Sequence, residues 1–499
     1  VEQNRPYVLA LDVGTSSLKA VIYSRSGETL AAAAQRYDYV SPQPGWGEMD
    51  PELWWKALTA AIAQLGQSWD LCQVQAVALT GQMHTAVLLD AERRPIHPVI
   101  LWLDRRSSAE TRELQQELKL PPYHLNTTYT LPKLLWLARH LPQVAAQARY
   151  LLWPKDYLRF RLTGQIFTDR TEAGGAALLD WETKTWAEER LKRVGFSPEI
   201  LPPLRHFTDD AGPLRTDVAQ QLGLSPQVRV IIGAGDVLAL VTAAPPAIGR
   251  ATCSLGTSSM VFTQLAEGQV VEDPLGRLYT YPLLPYPLLG GVSSTTGASL
   301  QWLWRVVFGE AETFEQMIAE ALRIPAGADG LIFLPYLSGE RSPYWNDDLR
   351  GAFYGFTMTH SRGHMARAVM EGIAFSLRCL LDIYAELGVR ITEIALAGGG
   401  AGTTGWPQMI ADVCQLPVLV YSGQETVTRG LYAFACLALG DAASFNEALG
   451  RTFGAGETVL ADTTTSAAYD PLYRCYRALS DFAHQTLSRL EQVYFSLGG

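Results

Sequence analysis

The stretches VLALDVGTSS, at 8–17, and ATCSLGTSSM, at 251–260, each place Gly-Thr-Ser-Ser after a short apolar run. A repeat at this distance is no solenoid, whose units recur every ~20–50 residues. It predicts two related lobes, each opening with a strand, a Gly-Thr-Ser turn and a second strand. The boundary is expected near Ala244-Pro245-Pro246. That gives an N-terminal lobe over 1–245, a C-terminal lobe over 246–470, and a last helix over 471–499 packing back on the N-terminal lobe.

Apolar spacing supports this division. Val8–Leu11, Leu18–Tyr23 and a third run before Tyr37 are separated by turn residues and read as antiparallel strands. Asp50-Pro51 reads as a helix start, followed by an amphipathic, Trp-containing helix over 52–65. Val74–Leu79 and VRVIIGAGD read as buried strands. In the second half come another strand pair around the repeated turn, a long helix over about 361–387, and an apolar strand running into Gly398-Gly399-Gly400.

Composition narrows the function classes. With 48% hydrophobic and 18% charged residues among 499, the chain is globular, and its net charge of −10 argues against a nucleic-acid binder, which needs clustered Lys and Arg. A small ligand fits better. Six cysteines without a C-x-x-C pair suggest neither a zinc site nor a disulfide framework, so reduced thiols in a cytoplasm are expected. No signal pattern and no apolar run of membrane-spanning length is present.

A Gly-Thr-Ser turn after a strand can aim backbone N–H groups and hydroxyls at a phosphate, because glycine leaves the approach open. Either turn alone reads as an ordinary hairpin connection; two in matched contexts read as a two-sided phosphate cradle. No G-x-x-x-x-G-K-[ST], no complete G-x-G-x-x-G and no G-x-S-x-G occurs, which excludes a P-loop, a dinucleotide-binding domain and a nucleophile elbow. Asp12 and Asp236 stand at the ends of apolar strands. Each is a turn-capping aspartate, or a carboxylate able to hold hydrated Mg²⁺ or accept a proton from a hydroxyl. The glycines before Asp236 strengthen its functional reading. His84, in the polar turn Gln82-Met83-His84, is a satisfied structural histidine or a donor to a sugar hydroxyl.

The order of DVGTSS, GQMH, WLDRR, LLWPKDYLRFRLTG, GAGD, SLGTSS, LPYLSGERSPYW, GAFYGF with HMARAVMEGIAF, and AGGG resembles the FGGY carbohydrate kinases, most closely their xylulokinase branch. The resemblance covers roughly 7–440. It implies an α/β, two-lobe, actin-like (ribonuclease-H-like) ATPase fold with ATP and sugar meeting in the interlobe cleft. By matching motif, Asp12, Gly14, Thr15 and Ser16 resemble the first phosphate loop, and Gly256, Thr257 and Ser258 the second. Gly398, Gly399 and Gly400 resemble the adenosine-site glycines. Gln82, Met83 and His84, with Trp102 and Asp104, resemble the sugar-contacting residues, and Asp236 the catalytic base. Asp12 and Asp236 are the implied Mg²⁺ residues.

Three departures cluster around the implied sugar site. Thr85 stands where the branch usually has Gly, Leu103 where it has Asn, and Val237 where it has Asn. The resemblance therefore implies ATP-dependent phosphorylation of a terminal hydroxyl on a small sugar, D-xylulose first, with D-ribulose, gluconate or another polyol as alternatives. GERSPYWND is similar to the gluconate kinases. A non-sugar actin-like ATPase would lack GQMH, WLDRR and the acid at Asp236. A cytoplasmic enzyme, as a homodimer, is the expected setting.

Overall fold

The computed structural model describes residues 7–486 except 122, 246, 310, 347, 422–425 and 455. The chain divides after Thr242 into two compact units, and residues 427–452 return to the first.

In the first unit β1 (Tyr7–Val13), β2 (Ser17–Ser24) and β3 (Thr29–Arg36) form an antiparallel meander. β4 (Val74–Gly81) pairs in parallel with β1; β5 (Asp210–Pro213) and β6 (Arg229–Ile231) complete the sheet in the order β5-β6-β4-β1-β2-β3. The central strand β1 is covered on both sides, so its apolar run Val8–Leu11 is continuous rather than alternating. Helix α1 (Glu52–Gly66) buries Trp54, Leu58, Ala61, Ile62 and Leu65, one face at helical spacing, in the same core. The Asp50 carboxylate caps it by accepting the Glu52 N–H at 2.9 Å. Helices α2 (Thr130–His140), α3 (Pro154–Thr163) and α4 (Arg170–Gly175) carry the side chains that later surround the site.

The second unit repeats the plan. β7 (Arg250–Leu255), β8 (Ser259–Gln264), β9 (Tyr279–Tyr281), β10 (Leu288–Ser293), β11 (Glu393–Ala397), β12 (Val418–Val420) and β13 (Glu457–Val459) lie in the order β9-β10-β8-β7-β11-β12-β13. β7, β8 and β10 are the antiparallel meander, β11 and β12 the parallel pair, and β13 the antiparallel edge. Each Gly-Thr-Ser turn thus joins the first two strands of one sheet. The long helix α5 (Arg362–Glu386) and α6 (Trp406–Cys414) pack on this sheet.

The C-terminal end corrects the expected organisation. Helix α7 (Thr463–Thr486) packs in the second unit, because Tyr469, Tyr473 and Tyr476 recur on one face and enter the core around Phe375. The segment that returns to the first unit is 427–452: Thr428 shares a 2.9 Å hydrogen bond with Tyr23, and the Tyr432 hydroxyl donates to Arg25 O at 2.8 Å. Residues 487–499 of the expected last helix lie outside the described residues. All six cysteines are unpaired. No helix among the described residues is long and apolar enough to cross a membrane.

Candidate active site

The turn between β1 and β2 is closed by Gly14 N–H donating to Ser17 O at 2.9 Å. Tyr37 secures it from β3's far end, its hydroxyl donating to Gly14 O at 2.7 Å and its N–H to Ser16 O at 3.1 Å. Gln82 secures it from the end of β4: its Nε2 donates to Gly14 O at 3.2 Å, and its Oε1 accepts from Thr15 Oγ1 at 3.4 Å. The Trp102 indole N–H donates to Thr15 Oγ1 at 2.8 Å. The structure therefore joins the predicted first phosphate loop to two of the predicted sugar-site residues. Ser16 is exposed, and Asp12 is half-buried at the end of β1 opposite Thr80.

Asp236 follows a loop that glycine alone permits. A Cβ on Gly233, at φ +73°, would lie 1.8 Å from Leu79 O, and one on Gly235 would lie 2.4 Å from Met83 Cγ. This close approach brings Asp236 to the Gln82-Met83-His84 turn, where the Met83 N–H donates to its carboxylate. Asp236 itself is exposed. The density of surrounding protein first, and the Asp12 charge second, push its pKa up to about 7. Solvent access and a raised pKa are compatible, since a carboxyl can face water from within a concave surround. A base half-ionised near neutrality is suited to taking a hydroxyl proton.

The three residues of the turn have different duties. Gln82 is buried with its amide engaged by the first loop, and Met83 is buried against Gly175 and Gly235. His84 is partly open, with its backbone at φ +68° and its ring 4.8 Å from Tyr129. Burial pulls its pKa down to about 4, so it is neutral at pH 7. Its Nδ1 meets Gly175 O, which only accepts, so Nδ1 carries the proton. Nε2 is then the unprotonated nitrogen, which makes His84 an acceptor for a hydroxyl rather than a donor.

WLDRR is also divided. Trp102 remains partly exposed, and its N–H donates to Thr85 Oγ1 at 3.2 Å, so the Thr85 departure orients Trp102. Leu103 turns toward Gly47 and the core. Asp104 is fully buried and its oxygens accept from Gly47 N at 2.6 Å and Arg106 NH2 at 2.7 Å. Arg106 also pairs with Glu48 at 2.7 Å and stacks on Trp46. The structure does not present Asp104 to a ligand; it anchors the loop from within.

Sequence reasoning missed Lys133. It is buried in α2, and its Nζ donates to Thr127 O at 2.8 Å, Thr128 O at 2.7 Å, Tyr129 O at 3.3 Å and Trp102 O at 3.4 Å. Burial lowers its pKa to about 7, partly opposed by Asp104. One ammonium thus fixes both the Trp102 backbone and the segment that places Tyr129 against His84. Its signal was a lysine inside the apolar run LPKLLWL.

In the second unit Gly256 N–H donates to Ser258 O at 3.0 Å, the counterpart of the first turn. Backbone N–H groups of Thr296, Gly297 and Ala298 hold it by donating to Thr257 O or Gly256 O at 2.9–3.1 Å. The glycine run lies beside it, because β7 and β11 pair through Ser254 and Ala397. A Cβ on Gly398 or Gly400 would fall 2.7 Å from Leu255 O or 2.8 Å from Leu255 Cβ, whereas one on Gly399 meets nothing within 4 Å. Gly399→Val is therefore expected to leave the melting temperature unchanged while weakening an ATP analogue by about tenfold or more, ~1.4 kcal/mol. Calorimetric titration checks it; unchanged affinity would remove Gly399 from the nucleotide site.

Residues 7–242 match the FGGY family of carbohydrate kinases, N-terminal domain, and residues 251–439 match its C-terminal domain. The xylulose kinase of Escherichia coli (strain K12) is 33% identical over 94% of this chain and 98% of its own. The structure of a ligand-bound xylulose kinase from Lactobacillus acidophilus superposes with a TM-score of 0.89 at 28% identity, covering 97% of this chain and 99% of that one. A gluconate kinase from the same organism gives 0.88 at 27% identity, over 97% and 99%. The duplicated α/β plan is thus the two-lobe actin-like fold, and the chain belongs to the FGGY family of carbohydrate kinases.

Proposed function

We propose that this kinase transfers the γ-phosphate of ATP to a terminal hydroxyl of a ketopentose, D-xylulose first. The observation that carries the reading is Asp236, exposed, raised to about 7 and held by the Met83 N–H beside His84. Asp236 accepts the hydroxyl proton as the oxygen attacks. His84 Nε2 accepts a second sugar hydroxyl, and Trp102 offers an apolar face. Thr15 and Ser16 of the first turn, Gly256, Thr257 and Ser258 of the second, and the open Gly399 serve the nucleotide.

The donor set suits Mg²⁺. Asp12 and Asp236 are close enough for one charge to raise the other's pKa, and no group of three or more His, Cys, Asp or Glu able to hold a metal occurs among the described residues. Two carboxylates match an ion that keeps most of its water and binds substrate phosphate, rather than one held in an all-protein cage. Bound there, Mg²⁺ would offset charge on the phosphates.

Val237 and Leu103 bring no polar group to the sugar side. A site that hydrogen-bonds a hydroxyl rejects analogues lacking it strongly, whereas an apolar contact discriminates by only ~1–3 kcal/mol. We therefore expect D-xylulose to be accepted together with D-ribulose or a related polyol, and Val237→Asn to narrow that range. A coupled ADP-release assay over ketopentoses, aldoses, alditols and sugar acids tests this. Strict preference for gluconate, the substrate class named for one structural neighbour, or no activity on any ketopentose, would overturn the assignment while leaving a sugar kinase.

A further inference from the structure

Beneath the loop that carries Asp236 lies a charged cluster with almost no access to solvent. Lys155 Nζ is 2.6 Å from Asp156 Oδ1 and 2.6 Å from Asp169 Oδ2, and Arg159 NH1 is 2.8 Å from Asp156 Oδ1. The side chains of all four are at most 1% exposed. Ion pairs this deep are costly to desolvate and seldom add net stability, so their presence asks for another account.

The cluster holds the loop at two points. Arg159 NH1 donates to Ile232 O at 2.9 Å, just before Gly233. At the other end, Asp169 Oδ1 accepts the Thr171 N–H at 2.7 Å and is also in contact with the Thr171 hydroxyl. Thr171 Oγ1 in turn accepts the Gly235 N–H at 2.8 Å. Gly235 is buried and immediately precedes Asp236. Because the Thr171 proton is directed to Asp169, its oxygen lone pair faces Gly235, which gives the relay a fixed direction.

We propose that Thr171 is a positioning residue for Asp236, carrying the rigid geometry of the buried Lys155–Asp156–Arg159–Asp169 cluster to the loop on which the base stands. The inference rests on Asp236 being the base. A hydroxyl is needed because the buried Gly235 N–H requires an acceptor, and the hydroxyl's own proton, directed to Asp169, fixes the oxygen that accepts it. Chemistry that depends on a near-attack geometry is sensitive to displacements of the order of 1 Å, so a loosened loop slows turnover more than it weakens binding.

Thr171→Val keeps the shape and removes the hydroxyl; Thr171→Ser keeps the hydroxyl and removes the methyl group. In the full-length kinase, assayed with MgATP and its best sugar well below each variant's melting temperature, Thr171→Val is expected to lower kcat by about 10–100-fold with little change in the KM for ATP, and Thr171→Ser to stay within about threefold of wild type. In the Asp236→Asn background, Thr171→Val should cause no further loss, since both act on one step. Wild-type kcat in folded Thr171→Val, equal damage from Thr171→Ser, or additive losses in the double variant would each overturn the proposal. Near-normal turnover in Asp236→Asn alone would instead overturn the assignment of the base, and this inference with it.

Discussion

Asp236→Asn is expected to lower turnover by a factor on the order of 10²–10⁴ while nucleotide still binds, because the amide keeps the size and polarity of the side chain but cannot take the hydroxyl proton. The same carboxyl sets the pH dependence. With a pKa of about 7, kcat should rise with pH through that value and level off above it, and Asp236→Asn should flatten this limb. A second effect runs in the opposite direction. The folded pKa lies above the carboxyl's ordinary value of 3.8, so the folded state binds the proton more tightly than the unfolded chain. Any contribution of this group to stability is present at low pH and is lost as pH rises from 3.8 through about 7. The neutral amide escapes that loss, so Asp236→Asn should melt higher than wild type at pH 8, with the difference shrinking toward pH 4. Near-normal turnover, or an unchanged pH limb, would remove Asp236 from the proton transfer.

Much of the frame was legible in the sequence for a local reason. A strand, a Gly-Thr-Ser turn and a second strand are adjacent in sequence, so the repeat could be read without tertiary information. The glycines before Asp236 read in the sequence as room for a substrate, whereas a Cβ at Gly233 or Gly235 would meet the protein's own Leu79 or Met83. Residues whose duty depends on distant partners were not legible. Asp104 looks like a ligand for sugar in WLDRR until Gly47 N and Arg106 are seen to engage its oxygens. Gln82 looks like a sugar contact until its amide meets Gly14 and Thr15. The C-terminal helix was misplaced because its tyrosine face fits any apolar core, and spacing does not say which one.

The buried cluster under Asp236 was hidden in the same way, although PKDYLRFRLT placed Lys155, Asp156 and Arg159 in an otherwise apolar helix. Burial works against the Lys155 charge, but Asp156, Asp169 and Glu172 together outweigh it and keep it protonated. Glu172, fully buried with neither carboxyl oxygen hydrogen-bonded among the described residues, is raised well above its ordinary value by burial first and then by Asp156, Asp169 and Asp236. Lys155 and Arg159 offset the Asp156 and Asp169 carboxylates, and Lys155 Nζ also lies 3.9 Å from Glu172 Oε1. Lys155→Met breaks that balance with little change in volume, leaving Asp169 without its cation. Removing one partner of a buried pair costs about 3–5 kcal/mol, so the melting transition should fall by on the order of 10 °C. Turnover should fall as well, since Asp169 orients Thr171. If charge imbalance is the cause, adding Asp169→Asn should recover part of the lost stability, because the amide oxygen still accepts from Thr171 while the unpaired charge is gone. A Lys155→Met protein that melts within about 2 °C of wild type, or a double variant less stable than the single one, would show that packing rather than charge holds this part of the fold.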